Sequence, residues 1–110
     1  MTYDRIAEVG IDEIGRLYIR PATTSFEHIY RAAMQVNWDV SARRLFSPKP
    51  REWTYLDWFK HMIAAAVDEY GTELRLTTDT IWTAIPVSLR AEIQGVATGR
   101  QMCASHRQKT

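Results

Sequence analysis

The sequence predicts an α+β fold: three successive ββα units, with a mainly antiparallel sheet and helices packed on one face. Three observations carry this expectation. Short stretches of alternating apolar and polar residues recur between turn residues, and they come in adjacent pairs. One stretch, Thr54 to Gly71, repeats with the helical period over roughly four turns. Two further stretches carry shorter helical spacings after their strand pairs.

Arg5 to Asp12 and Arg16 to Arg20 read as a first hairpin. Ala7, Val9 and Ile11 alternate on one strand, Leu17 and Ile19 on the other. Between them Asp12-Glu13-Ile14-Gly15 is a turn, with Gly15 suited to a positive φ. Pro21 has no N–H to give and ends the pairing. Thr24 and Glu27 have the spacing of a capping box, and Phe26, Ile29, Tyr30 and Ala33 that of a helix face, so a helix is expected from Ser25 to about Met34. A second hairpin follows, Gln35 to Asp39 and Arg44 to Ser47, with Val40 to Arg43 as its loop. Ser47-Pro48-Lys49-Pro50 then leaves the sheet on an extended course.

The long helix has both end signals. Thr54 can cap it with Asp57 at N3, and Gly71 supplies the left-handed residue that stops it. Tyr55, Phe59, Met62, Ile63, Ala66 and Tyr70 fall on one side, with Asp57, Lys60, His61 and Asp68 opposite. Leu56 with Val67, and Trp58 with Ala65, widen the apolar arc at its two edges. Glu73 to Thr77 and Thr80 to Ile85 read as a third hairpin, and Val87 to about Gln94 as a last helix after Pro86, with Gly95 ending it. Residues 1–95 are thus expected to form one domain, and the polar stretch 96–110, with Arg100, Arg107 and Lys109, a poorly ordered tail.

The segments GIDEIGRLYIRP (Gly10 to Pro21), SPKPREWTYLDWF (Ser47 to Phe59) and EYGTELRLTTDTIW (Glu69 to Trp82) resemble a group of small bacterial proteins of unknown function, some encoded by mobile integron gene cassettes. The resemblance covers roughly residues 3 to 94. It implies a compact α+β domain, bacterial and cytosolic, serving as an accessory gene product. It assigns no catalytic or binding residue.

Composition narrows the function classes. Fourteen basic residues against 13 acidic ones leave a formal charge of +1 over 110 residues, which argues against a strong nucleic-acid binder. Arg43, Arg44, Lys49 and Arg51 could still line a local basic edge, so weak nucleic-acid binding stays as an alternative. The single cysteine, Cys103, excludes an internal disulfide and a cysteine-rich zinc site. No apolar run is long enough to span a membrane and MTYDRIAEVG has no signal core, so a cytoplasmic location is expected.

The best recognition candidate is Lys49-Pro50-Arg51-Glu52-Trp53 with Trp58. Two cations and two indoles lie close to a helix start, where unpaired N–H groups favour anions. Lys49, Arg51, Trp53 and Trp58 are therefore the expected contacts for an anionic or aromatic small molecule, or for a protein partner. The plainer account is that Trp53 closes on the helix as a hydrophobic staple while Arg51 and Glu52 face water. Asp57 and His61, four apart, have the spacing of a base and its orienter, or of two metal ligands. A solvated helix pair explains that spacing equally well, and no second pair exists to complete a metal site. His28 and His106 converge on nothing, and no nucleophile elbow, phosphate loop or His-Glu-x-x-His motif occurs. No cofactor, metal or catalytic residue is therefore expected. The competing reading is a small enzyme using Asp57 and His61 on a substrate near Arg51 and Trp53.

The wide apolar arc fits either a helix lying in a groove of its own domain or one whose flank meets a second subunit, and self-association into a dimer or larger homo-oligomer is the expectation. Tyr18 and Trp82 are expected on an uncovered sheet face, and Leu56 and Val67 on a helix flank, as the contact surfaces.

Overall fold

The computed structural model describes residues 2–103, with side chains described as far as 96. Expectations that fall on 104–110, including His106, Arg107 and Lys109, lie outside the described residues. The chain runs β1 (Thr2–Ile11), β2 (Leu17–Pro21), a 3-10 turn (Ile29–Arg31), β3 (Asn37–Asp39), β4 (Arg44–Phe46), α1 (Tyr55–Tyr70), β5 (Thr72–Arg75), β6 (Ile81–Thr83) and α2 (Val87–Cys103). The sheet order is β3-β4-β2-β1-β5, with β6 also on β1. The β1–β2, β2–β4 and β3–β4 pairs are antiparallel, and β5 and β6 join β1 in parallel. This is an α+β fold with a mainly antiparallel sheet, but its elements do not repeat as three ββα units.

The first hairpin forms as its turn chemistry requires. Asp12 Oδ1 accepts from the N–H groups of Ile14 and Arg16, and Gly15 takes φ 97°. A bulge interrupts the β1–β2 register between Ile6 and Glu8. It divides the opposite edge of β1 into two sites. Thr2–Arg5 pairs with β5, and Glu8–Gly10 pairs with β6. At the join, the buried Thr80 hydroxyl donates to the Ile6 carbonyl at 2.7 Å and accepts from the Thr77 N–H at 3.0 Å.

The third hairpin is therefore absent. β5 and β6 run the same way along one neighbour, and Leu76 to Thr80 steps the chain forward instead of reversing it. The faces change accordingly. Trp82 lies opposite Val9, which lies opposite Ile19, so its ring is on the helix side, under the Arg90 guanidinium at 5.0 Å. Ile81, next to it on the other face, is 54% exposed.

The expected helix over Ser25 to Met34 shrinks to the single 3-10 turn. Its capping box cannot form, because Asp4 Oδ2 takes the N–H groups of Thr23 and Thr24 at 3.0 and 2.9 Å. The apolar spacing still serves the core, since Phe26, Ile29 and Ala33 are buried, while Tyr30 is not. The Tyr70 hydroxyl accepts from the His28 N–H at 2.8 Å and fastens this segment to the end of α1.

α1 has both expected caps. The Asp57 N–H donates to Thr54 Oγ1, the Thr54 N–H donates to Asp57 Oδ2, and Gly71 closes the helix at φ 63°. Trp58, Phe59, Met62, Ile63, Ala65 and Ala66 are buried, so the Trp58 edge of the arc belongs to the core. Each such large side chain contributes about 1.5–3 kcal/mol. α2 supplies Leu89 and Ile93 to the same cluster, at the expected spacing. It does not end at Gly95 but runs on to Cys103. Nothing lies within 4 Å of a side chain added at Gly95, and a lone glycine in a helix costs only about 1 kcal/mol against alanine.

The opposite sheet face is built round Glu8. Its carboxylate accepts from Tyr18 Oη at 2.7 Å, Thr83 Oγ1 at 2.5 Å and Arg20 Nε at 3.2 Å. Burial pushes the Glu8 carboxyl up, but these donors outweigh it and hold the group below its ordinary value. Tyr18 is not an emergent side chain. It is 4% exposed, with its ring pressed on Gly10 and the Arg44 guanidinium 3.9 Å from its centroid. A Cβ at position 10 would come within 2.3 Å of that ring. Gly10→Ala is expected to destabilise the fold by about 1–3 kcal/mol through displaced packing, read from urea denaturation midpoints.

Asp4 is 8% exposed. Burial raises its carboxyl, yet the Thr23 and Thr24 donors bring it below the ordinary value. Its stabilisation is therefore full at neutral pH and is lost as pH falls through the depressed pKa. Asp4→Asn should cost about 1.5–3 kcal/mol at neutral pH. In urea titrations at a series of pH values, the gap to wild type should narrow as pH falls below the ordinary carboxylate range and through the depressed pKa.

Candidate functional site

Four elements bring a cleft together at the start of α1. Tyr55 Oη donates to the Gly15 carbonyl at 2.9 Å, docking the helix on the first hairpin turn. Ser47 stays on the ladder through its N–H to the Leu17 carbonyl, and the two prolines then carry the chain across to Thr54. Residue 35 closes the far side. Gln35, at φ 76°, turns the chain there with a strain that non-glycine residues rarely accept.

The resulting cleft has a volume of about 640 Å³. Trp58 and His61 of α1 form one wall with Trp53, Lys49 and Arg51 come from the proline-bounded segment, and Met34 and Gln35 face them. Lys49, Arg51, Trp53 and Trp58, all expected from sequence, thus gather round one space. Sequence reasoning missed Met34, Gln35 and Pro48, included Glu52 in the candidate segment without a contact role, and placed His61 on the polar face of the helix. His61 follows Trp58 by three residues, a spacing that sets it beside that ring on any helix. Nothing local marks Met34 or Gln35, whose position depends on the segment that failed to become a helix.

Trp58 is 8% exposed and Trp53 45%. Their ring centroids are 4.7 Å apart at 48°, and the His61 ring stands edge-on to them at 5.8 and 5.2 Å. Trp53 at N′ against Trp58 at N4 is a hydrophobic staple, so the plainer account of Trp53 holds for that contact. It leaves two features unexplained. Trp58 Nε1 is closed off from solvent without a hydrogen-bond acceptor. Lys49 and Arg51 enter no ion pair among the described residues, whereas Arg16, Arg20, Arg31 and Arg75 each do.

Other sequence candidates are dispersed. The Asp57 carboxylate is spent on the cap and makes no hydrogen bond or ion pair with His61, so the pair does not assemble as base and orienter. The cap also fills the helix start that would have drawn an anion. Among the described residues no group of three His, Cys, Asp or Glu side chains is placed to hold a metal ion. Arg44 is committed to Tyr18 and Arg43 donates to Ser25 Oγ at 3.2 Å, so neither joins Lys49 and Arg51 in a basic edge. Of the expected contact residues, Tyr18 is buried, and Trp82, Leu56 and Val67 are half-buried within the chain. Among the described residues no helix is long and apolar enough to cross a membrane.

A family model described as Integron Cassette Protein Hfx_Cass5 matches residues 4–80. A solved structure from the mobile metagenome of the North West Arm Sewage Outfall, the integron cassette protein Hfx_Cass5, is 42% identical in sequence. The match covers 89% of this chain and 98% of that one, with a TM-score of 0.45. Identity over that span carries the kinship; the superposition adds no argument. A search of curated proteins finds no match.

The cap is the simplest part of this region to test. Asp57→Ala should lower stability by about 1 kcal/mol, as loss of one half of a capping box does. Thermal unfolding monitored by far-ultraviolet circular dichroism measures it.

Proposed function

The chain belongs to the Hfx_Cass5 family of integron cassette proteins, and for this member we propose a non-catalytic binding module whose cleft takes a flat organic anion. One observation carries the reading: two indoles line a cleft whose two cations enter no ion pair among the described residues. The volume lies inside the range of small-molecule sites, and aromatic walls with a few placed charges are their usual chemistry. A ring supplies contact area to Trp53 and Trp58, and a carboxylate supplies the counter-charge to Lys49 and Arg51. Glu52 at the rim disfavours a ligand of high negative charge, so a monoanion fits best. An enzyme built on Asp57 and His61 gains no support, because those side chains serve different neighbours.

Self-association belongs to the same reading, on the uncovered sheet face that the sequence suggested but through other residues. Tyr3 and Ile81 are 67% and 54% exposed on the sheet face away from the helices. A second copy laid on that face would cover them. Sedimentation velocity over a concentration series reads it directly: a single monomeric boundary throughout would remove self-association and leave the cleft reading intact.

Calorimetric titration of the full chain with 2-naphthoate, 2-methylnaphthalene and 2-naphthylmethylammonium tests the cleft. The carboxylate should bind most tightly, and Lys49→Glu with Arg51→Glu should weaken it at least about tenfold. Equal affinity for all three probes, or none for the carboxylate, would contradict the reading.

A further inference from the structure

We infer that Trp53 is a movable cover over the Trp58 indole N–H, and that a ligand acceptor takes that N–H when the cover lifts. The inference rests on the cleft reading above and specifies how the ligand is selected.

Trp58 cannot move far. It sits in the second turn of α1 with its side chain in the core cluster, and yet its Nε1 has neither solvent nor acceptor. Buried indole N–H groups ordinarily find a partner, so an orphan on a residue that lines the cleft is a donor held in reserve.

Trp53 is held differently. It lies outside α1, nearly half exposed, and no hydrogen bond to any of residues 49–53 occurs among the described residues. Its ring packs on Trp58 at a tilt and stands roughly perpendicular to His61. The segment is tied at its ends, by Ser47 on the ladder and Thr54 in the cap, and rests between on ring packing.

The ring geometry makes the movement necessary. Centroids 4.7 Å apart at 48° form a closed wedge. A flat ligand between them needs about 7 Å, twice a carbon–carbon contact distance of ~3.5 Å. Because α1 fixes Trp58, the unbonded segment must yield. Outward movement of Trp53 opens room for the ring of the ligand and uncovers Nε1. Arg51 and Lys49, which line the same cleft, supply the counter-charge, and the Trp58 N–H, which donates in its own ring plane, takes an acceptor at the edge of the stack. A ring without an acceptor would break the staple and leave the N–H orphaned, which is how the site would discriminate.

The test uses the nitrogen-15-labelled full chain, in which Trp38, Trp53, Trp58 and Trp82 each give an indole N–H signal. Trp58→Phe assigns the Trp58 signal and keeps most of the ring packing. On titration with 2-naphthoate the Trp58 indole proton should move downfield, and Trp58→Phe should bind the probe about tenfold more weakly. Trp53→Ala should speed exchange of the Trp58 indole hydrogen with deuterated water. If 2-naphthoate shifts the Trp53 and Arg51 signals, but the Trp58 indole signal stays still and Trp58→Phe binds as well as wild type, the donor role is overturned and the cleft reading survives. Unchanged exchange in Trp53→Ala overturns the cover. If no cleft signal responds to the probe, both readings fall.

Discussion

The structure depends on the apolar arc of α1 pressing on the core face of β1 and β2. Ile6, Val9, Leu17 and Ile19 share one buried cluster with Phe59, Met62, Ile63 and Ala66. Remove that contact and the sheet has no covered face, since α2 and the 25–36 segment pack on the same cluster instead of forming one of their own. The cleft is the margin of this core. Trp58 is at once a buried residue on one edge of the arc and a lining residue of the cleft, so the cleft is held by the same packing that holds the fold.

β1 is the second constraint. A strand with a bulge in its middle can be met by two short strands on one edge, where a regular strand would take one longer partner. Thr80 bridges the gap by giving its hydroxyl to the Ile6 carbonyl, which would otherwise be buried without a donor. On the far face, Glu8 gathers donors from β2 and β6, so a half-buried carboxylate and not apolar packing joins these strands there. Arginine guanidinium groups lie over Tyr3, Tyr18 and Phe46 along this face. Aromatic residues that would read as an exposed patch are in part covered by their own chain, which is why Tyr18 offers so little surface to a partner.

What was legible in the sequence was local. α1 could be read to its caps because Thr54, Asp57 and Gly71 are all within the segment they define. The first two hairpins were legible for the same reason, as were the four cleft residues between Lys49 and Trp58, which lie within ten positions. What was not legible depended on distant partners. The capping box expected to open a helix at Ser25 to Met34 lost its Thr24 amide to Asp4, about twenty residues earlier. The strands β5 and β6 found β1 rather than each other, and that choice turned Trp82 to the helix side. Met34 and Gln35 entered the cleft through that same displaced segment, with no signal of their own.

The central claim is that the indole-walled, cation-lined cleft beside α1 holds a flat anion, and a crystal structure of the chain grown with 2-naphthoate tests it most directly. The account predicts the probe's rings against Trp58, its carboxylate beside Arg51 and Lys49, and Trp53 displaced outward. A structure with the probe bound elsewhere, or with Trp53 still closed on Trp58 over an empty cleft at saturating probe, would contradict it.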